Sequence, residues 1–143
     1  MGIAQRYESV RAQVDECCRL CGRDPREVTL VAVSKTVDEA GVGEAFLAGA
    51  REFGENRPDQ IVGKFRAFPE ARWHFIGNIQ SRRIGDIVES ASLIHSLHQM
   101  SHAVKIDSCA ARLGIVQDVL VEVNVSGEAS KSGVSPSDAL EFV

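Results

Sequence analysis

No apolar run in this chain approaches the roughly 18 residues that a membrane span needs, and its first residues, MGIAQRYESV, lack the apolar core of a secretory signal. Neither membrane association nor secretion is expected, and the expected compartment is the cytosol. A block of Lys and Arg is missing too: 16 basic side chains stand against 20 acidic ones, a formal net charge of -4, which leaves no electrostatic footprint for nucleic acid or anionic lipid. Cysteine is scarce. Cys17, Cys18, Cys21 and Cys109 are too few and too clustered for a disulfide framework, which suits a reducing compartment.

Several motifs are also wanting. Gly41-Val-Gly43 lacks the third glycine of a dinucleotide fingerprint, and neither a G-x-x-x-x-G-K-[ST] loop nor a G-x-S-x-G elbow occurs. Cys18 and Cys21 have the C-x-x-C spacing of zinc or redox sites, but no further ligands accompany them and all three clustered thiols fall on or beside the apolar stripe of a helix. They are expected in the core. His98 and His102 stand four apart with His95 shortly before, yet no carboxylate completes a metal set in the pattern, so no metal is expected.

What is present is an ordinary globular composition of 143 residues, 44% hydrophobic and 25% charged, enough for one domain. Ile3, Tyr7, Val10, Val14, Cys17, Cys18 and Cys21 recur at helical spacing and predict an amphipathic first helix that Gly22 and Pro25 end. VTLVAVS, residues 28–34, reads as a buried strand. A helix carrying Val42, Ala45, Phe46 and Gly49 follows, then a strand near REFG and a helix carrying Ile61, Val62, Phe65 and Phe68. WHFIG predicts a strand, Ser81 a cap for a helix carrying Ile84, Ile87 and Val88, and LIHSL a further strand. A helix from about Met100 to Leu113 leads into DVLVEVNVS, residues 118–126, the clearest strand of the chain.

Strands alternating with helices imply parallel βαβ units. Five such units suit either a doubly wound sheet of flavodoxin type or the first part of a (β/α)8 barrel, which takes about 250 residues in full. Ser135, Pro136 and Asp138 open a helix about two turns before Val143, so a partial barrel is expected.

Four segments place polar chemistry at strand carboxyl ends, where α/β folds put their sites. In VAVSKT, Lys35 shares strand parity with Val31 and Val33, so its stem leaves an apolar wall. Desolvation there favours a neutral amine, the form that attacks an aldehyde. FGEN, residues 53–56, brings Asn56 to the end of its strand. In WHFIGNIQ, His74 shares a face with Ile76, and Gly77 permits close approach of backbone to a ligand. In VEVNVSGEASKSG, Glu122 and Asn124 give one face of the strand a polar end.

In this order and spacing the four segments resemble the pyridoxal phosphate homeostasis protein family, whose fold is the barrel of the alanine racemase N-terminal domain. The resemblance runs from about Ile3 to the end and implies that residues 1–143 form the N-terminal portion, about five βα units, of an alanine-racemase-like TIM (β/α)8 barrel. It implies pyridoxal 5'-phosphate (PLP) as cofactor, held as a Schiff base on Lys35, with Asn56, His74 and Asn124 lining the cofactor mouth. Family members are cofactor carriers or regulators of vitamin B6 pools without an established turnover. The partners implied are therefore the small-molecule cofactor and PLP-dependent apoenzymes, with neither nucleic acid nor membrane, and the full-length family is expected to be monomeric.

Departures from the family pattern carry expectations of their own. Arg82 and Arg83 stand where the family often has Asn-Lys. The family's later segments, which hold the phosphate and face the pyridine nitrogen, are not among these residues, so weak cofactor binding or poor folding is expected, with association through open sheet edges. Rival readings are a racemase or decarboxylase of the same fold, a flavodoxin-like module and a fragment with no function of its own.

Overall fold

The computed structural model describes residues 2–143. Strands β1 (Ala32–Val33), β2 (Glu52–Glu55), β3 (Arg72–Phe75), β4 (Leu93–Leu97) and β5 (Asp118–Val121) form one parallel sheet in the order β1-β2-β3-β4-β5. Helices α1 (Ile3–Leu20), α2 (Glu39–Leu47), α3 (Pro58–Ala67), α4 (Ile84–Ser90) and α5 (Met100–Leu113) alternate with them, and a short α6 (Ala139–Phe142) comes last. Each crossover advances the sheet by one strand in the same direction. A doubly wound sheet reverses direction at its switch point, so the sequential order excludes the flavodoxin-type arrangement and leaves the wall of a barrel. Among the described residues no helix is long and apolar enough to cross a membrane.

The sheet has two chemically distinct faces because successive side chains of a strand point in opposite directions. On the helix side Phe53 stacks on Trp73 at 5.2 Å between ring centroids. Phe75, Ile94, Ile61, Ile84 and Ile87 complete the centre of a core from which solvent is excluded. Burying each such side chain contributes about 1.5–3 kcal/mol. The indole N–H of Trp73 donates to the Phe68 carbonyl at 3.1 Å, so the largest core residue leaves no polar atom unpaired. On the other face Gly54 lies among Val31, Val33 and Ile76, each of which places a methyl 3.4 Å from where a Cβ on Gly54 would be. Glu52, His74 and His95 share that face.

Local chemistry sets the helix ends. Asp38 caps α2 by accepting from the Gly41 amide at 2.9 Å, Pro58 opens α3 where its missing N–H costs nothing, and Gly114, at φ +68°, closes α5. Ser81 does not cap a helix as its position suggests. It begins a 3-10 turn, Ser81–Arg83, that precedes α4, and its hydroxyl turns instead to His102.

Other expectations are also corrected. Of the strand expected over residues 28–34 only Ala32 and Val33 join the ladder, pairing with β2 on one side alone. The strand expected over 118–126 ends at Val121, and beyond it Val123 bridges to Val134. The last helix starts at Ala139, not at Pro136, because Ser135 holds Asp138 in a turn through its hydroxyl and its carbonyl. In α1 only Cys18 is buried, while Cys17 and Cys21 are exposed. Ile3 and Tyr7 pack the helix against the core, and farther along Arg11 donates to the Val28 carbonyl at 3.2 Å.

Candidate functional site

The strand carboxyl ends gather at one rim. β1 delivers the turn Ser34-Lys35-Thr36, β2 delivers Asn56, β3 delivers Ile76-Gly77-Asn78, β4 leads to His98, and β5 to Glu122 and Asn124. Gly77 is needed because the ends of β2 and β3 close on each other: a Cβ there would lie 2.0 Å from the Asn56 carbonyl oxygen. The close approach expected at Gly77 is therefore to the Asn56 backbone.

Lys35 is exposed, and its amine enters no hydrogen bond or ion pair among the described residues. The burial expected for it is corrected: Val31 and Val33 line its strand, but the side chain itself leaves the sheet in a turn open to solvent. Its predecessor is held far more firmly. Ser34 is buried, its N–H donates to the Gly54 carbonyl at 2.9 Å, and its hydroxyl donates to Glu55 Oε1 at 2.7 Å. The Ser34 carbonyl accepts twice, from the Val37 amide at 2.9 Å and from Lys64 Nζ at 2.8 Å. Lys64 also forms a buried ion pair with Glu55 Oε1, with side-chain exposures of 4% and 0%. Glu55 Oε2 has no hydrogen-bond partner among the described residues.

Sequence reasoning missed this triad. Glu55 stands inside FGEN, but its parity sends it to the helix side, away from Asn56. A signal for Lys64 existed: three residues after Ile61 and four before Phe68, it lies on the stripe that α3 turns inward.

His74 is buried on the opposite face, in the middle of β3, between two partners. Its Nε2 lies 2.7 Å from Glu52 Oε2 and its Nδ1 2.8 Å from His95 Nε2. A carboxylate only accepts, so Nε2 of His74 carries the hydrogen, its Nδ1 accepts in the neutral ring, and His95 Nε2 donates. Glu52 also meets Arg72 at 3.6 Å. Burial, and secondarily repulsion between the two rings when both are protonated, pushes the His95 imidazole below its ordinary value.

Asn124, half-buried after β5, spends its side chain on its own loop. Its Nδ2 donates to the carbonyls of Glu128 and Lys131 at 3.0 and 3.4 Å, and its Oδ1 accepts from the Ser126 hydroxyl and the Gly127 amide, each at 3.1 Å. The loop so shaped reaches the rim, where Ser132 donates to Glu122 Oε1 at 3.1 Å and lies 3.4 Å from Asn78 Oδ1. Glu122 Oε2 sits 3.3 Å from His98 Nδ1, a carboxylate that the sequence pattern did not assign to this histidine. Beside them buried His102 places Nε2 2.9 Å from the Ser81 hydroxyl, and its Nδ1 has no partner among the described residues. Its imidazole is held below the ordinary range, first by burial and then by the charges of His98 and Lys105.

A parallel sheet wound in one direction, with a lysine just past its first strand and polar side chains around its carboxyl rim, defines the wall of a (β/α) barrel. The sequence model of the alanine racemase N-terminal domain matches residues 6–143, and the chain belongs to that family. A pyridoxal phosphate homeostasis protein of Pseudomonas aeruginosa is 41% identical over 138 residues, covering 95% of this chain and 60% of that protein. One of Aquifex aeolicus is 35% identical over 144 residues, covering 99% of this chain and 63% of its own length. PipY of Synechococcus elongatus, solved without PLP and with PLP bound, superposes with TM-scores of 0.81 and 0.79 at 33% and 32% identity. The matched parts cover 95% of this chain in both cases, and 60% and 59% of PipY. The chain thus spans about 60% of the length of the relatives it matches.

Proposed function

We propose that this chain, acting as one domain, binds PLP through the Lys35 amine and serves PLP homeostasis as a carrier and not as an enzyme. Four lysines occur in the sequence, and they differ in what they are free to do. Lys64 is buried and occupied, Lys105 lies on α5 and Lys131 in the loop after β5. Lys35 combines an unengaged amine with a place just beyond a strand of the polar-faced sheet, and this is the observation that carries the reading. The PLP-bound state of PipY and the likeness to pyridoxal phosphate homeostasis proteins support it.

The donor set fits the aldehyde end of the cofactor. When bound, PLP supplies an aldehyde with which a primary amine condenses reversibly, and a competing amine releases it again. Lys35 presents the nucleophile, Asn56 offers an exposed amide at the neighbouring strand end, and Asn124 shapes the loop that closes the rim. His74 lies beneath the rim, held by its two hydrogen bonds to Glu52 and His95, and would line the site from below. Transfer to PLP-dependent apoenzymes in the cytoplasm completes the proposal, supported by four free thiols that suit a reducing compartment.

Titration of the chain with PLP, followed by visible absorbance, tests this reading. Saturable growth of a visible band that Lys35→Met abolishes is the expected result. An equal band in the variant would overturn it.

A further inference from the structure

We infer that Lys64 is a positioning residue for the Lys35 amine, acting from the helix side of the sheet through the carbonyl of Ser34. The inference rests on the proposal that Lys35 receives PLP. It goes beyond that reading by assigning a role to a buried ion pair on the opposite side of the wall.

The geometry leaves Ser34 no freedom. Its N–H is bound to Gly54 of β2, its hydroxyl to Glu55 of β2, and its carbonyl to Lys64 of α3 and to Val37 across the turn. Lys35 is the next residue, so the peptide that begins its backbone is the one whose oxygen Lys64 grips. Without that grip the Ser34–Val37 turn is closed by a single backbone hydrogen bond, and the exposed Lys35 side chain has no hydrogen bond or ion pair among the described residues to direct it. The same ammonium answers the Glu55 carboxylate, so one side chain both neutralises a buried charge and fixes the turn.

A buried ion pair is a poor device for stability alone. Hydrophobic replacements of similar volume are often neutral or stabilising, whereas removal of one partner strands a charge. Retaining the pair here has a second effect that a hydrophobic pair lacks, namely a charged donor aimed at the Ser34 carbonyl. Positioning of this kind is sensitive: a displacement of about 1 Å at a reacting group can cost on the order of 100-fold in rate.

The double variant Glu55→Leu with Lys64→Met separates the two roles, because it removes the grip without leaving a buried charge. The chain, the double variant and Lys64→Arg are each incubated with PLP, reduced with borohydride and mapped for labelled lysine, with thermal unfolding recorded on the same samples. The expected result is a folded double variant in which the rate of Lys35 labelling falls about tenfold, to the level of Lys105 and Lys131. Lys64→Arg, which keeps a charged donor, retains selective labelling. Should the double variant fail to fold, Glu55→Gln with Lys64→Met carries the test: the neutral amide keeps an acceptor for the Ser34 hydroxyl, no charge is left buried, the grip on the Ser34 carbonyl is gone, and the same loss is expected. Selective labelling of Lys35 at the unchanged rate in a folded variant lacking the grip would overturn the inference alone. Diffuse labelling of the unsubstituted chain would overturn the PLP reading and the inference with it.

Discussion

Nδ1 of His74 and Nε2 of His95 lie 2.8 Å apart on neighbouring strands, and with Glu52 they form a chain of polar groups across β2, β3 and β4. Buried polar atoms on a sheet face cost free energy unless they are paired. Here each satisfies the next, and the arrangement ties three strands together below the rim that carries Lys35.

The shifted histidines make stability depend on pH in a defined direction. His95 and His102 are both held below the ordinary value of 6.5, so the unfolded chain binds protons in a range where the folded chain does not. Their contribution is complete above that value and is lost as pH falls through 6.5 toward the lower folded-state values. Thermal unfolding recorded across this range should show a midpoint that drops on acidification, and the drop should shrink when His95 and His102 are both replaced by Gln. A midpoint that rises on acidification would contradict the assignment.

Removing one partner of the Glu55–Lys64 pair is expected to destabilise the fold by about 3–5 kcal/mol, because the remaining charge is buried without compensation. Denaturant unfolding of Lys64→Ala measures this. The exposed pair Arg26–Asp24 provides the contrast, since its loss should be close to silent.

Two glycines should respond oppositely to a single methyl group. Gly77→Ala places a Cβ 2.0 Å from the Asn56 carbonyl oxygen, and backbone must move to admit it. A loss of about 4 kcal/mol or more, or failure to fold, is expected. Gly63 lies within α3 with nothing inside 4 Å of its would-be Cβ, and Gly63→Ala should stabilise the helix by about 0.5–1 kcal/mol. Paired melting curves decide both.

Asn124→Ala should loosen the loop over residues 126–133 while sparing the core, since the four hydrogen bonds of that side chain all serve the loop. Hydrogen exchange should speed up there and stay unchanged in β2 and β3. Uniform acceleration would instead make Asn124 part of the global fold.

The alternation of strands and helices was legible in the sequence because each buried strand is a short apolar run and each helix carries an apolar stripe, and α5 falls where its pattern ends at Gly114. Strand ends were less legible: ladder membership of residues 28–31 and 122–126 depends on neighbours in space, not on β propensity. Lys35, Asn56, His74 and Asn124 stand near the carboxyl half of the sheet as expected from their segments. Their partners did not follow from the sequence. That His74 meets Glu52 and His95 depends on register between strands, and that Asn124 turns to its own loop depends on the return of the chain through Gly133. Lys64 lies on the inward stripe of α3, but the carboxylate it pairs with stands nine positions away in another element, so the pair did not follow from the sequence.

Borohydride reduction of the PLP-treated chain, followed by peptide mapping of the modified lysine, tests the central claim most directly. Stoichiometric label on Lys35, with Lys64, Lys105 and Lys131 unmodified, is the predicted result. Label spread over the exposed lysines, or none on Lys35, would contradict it.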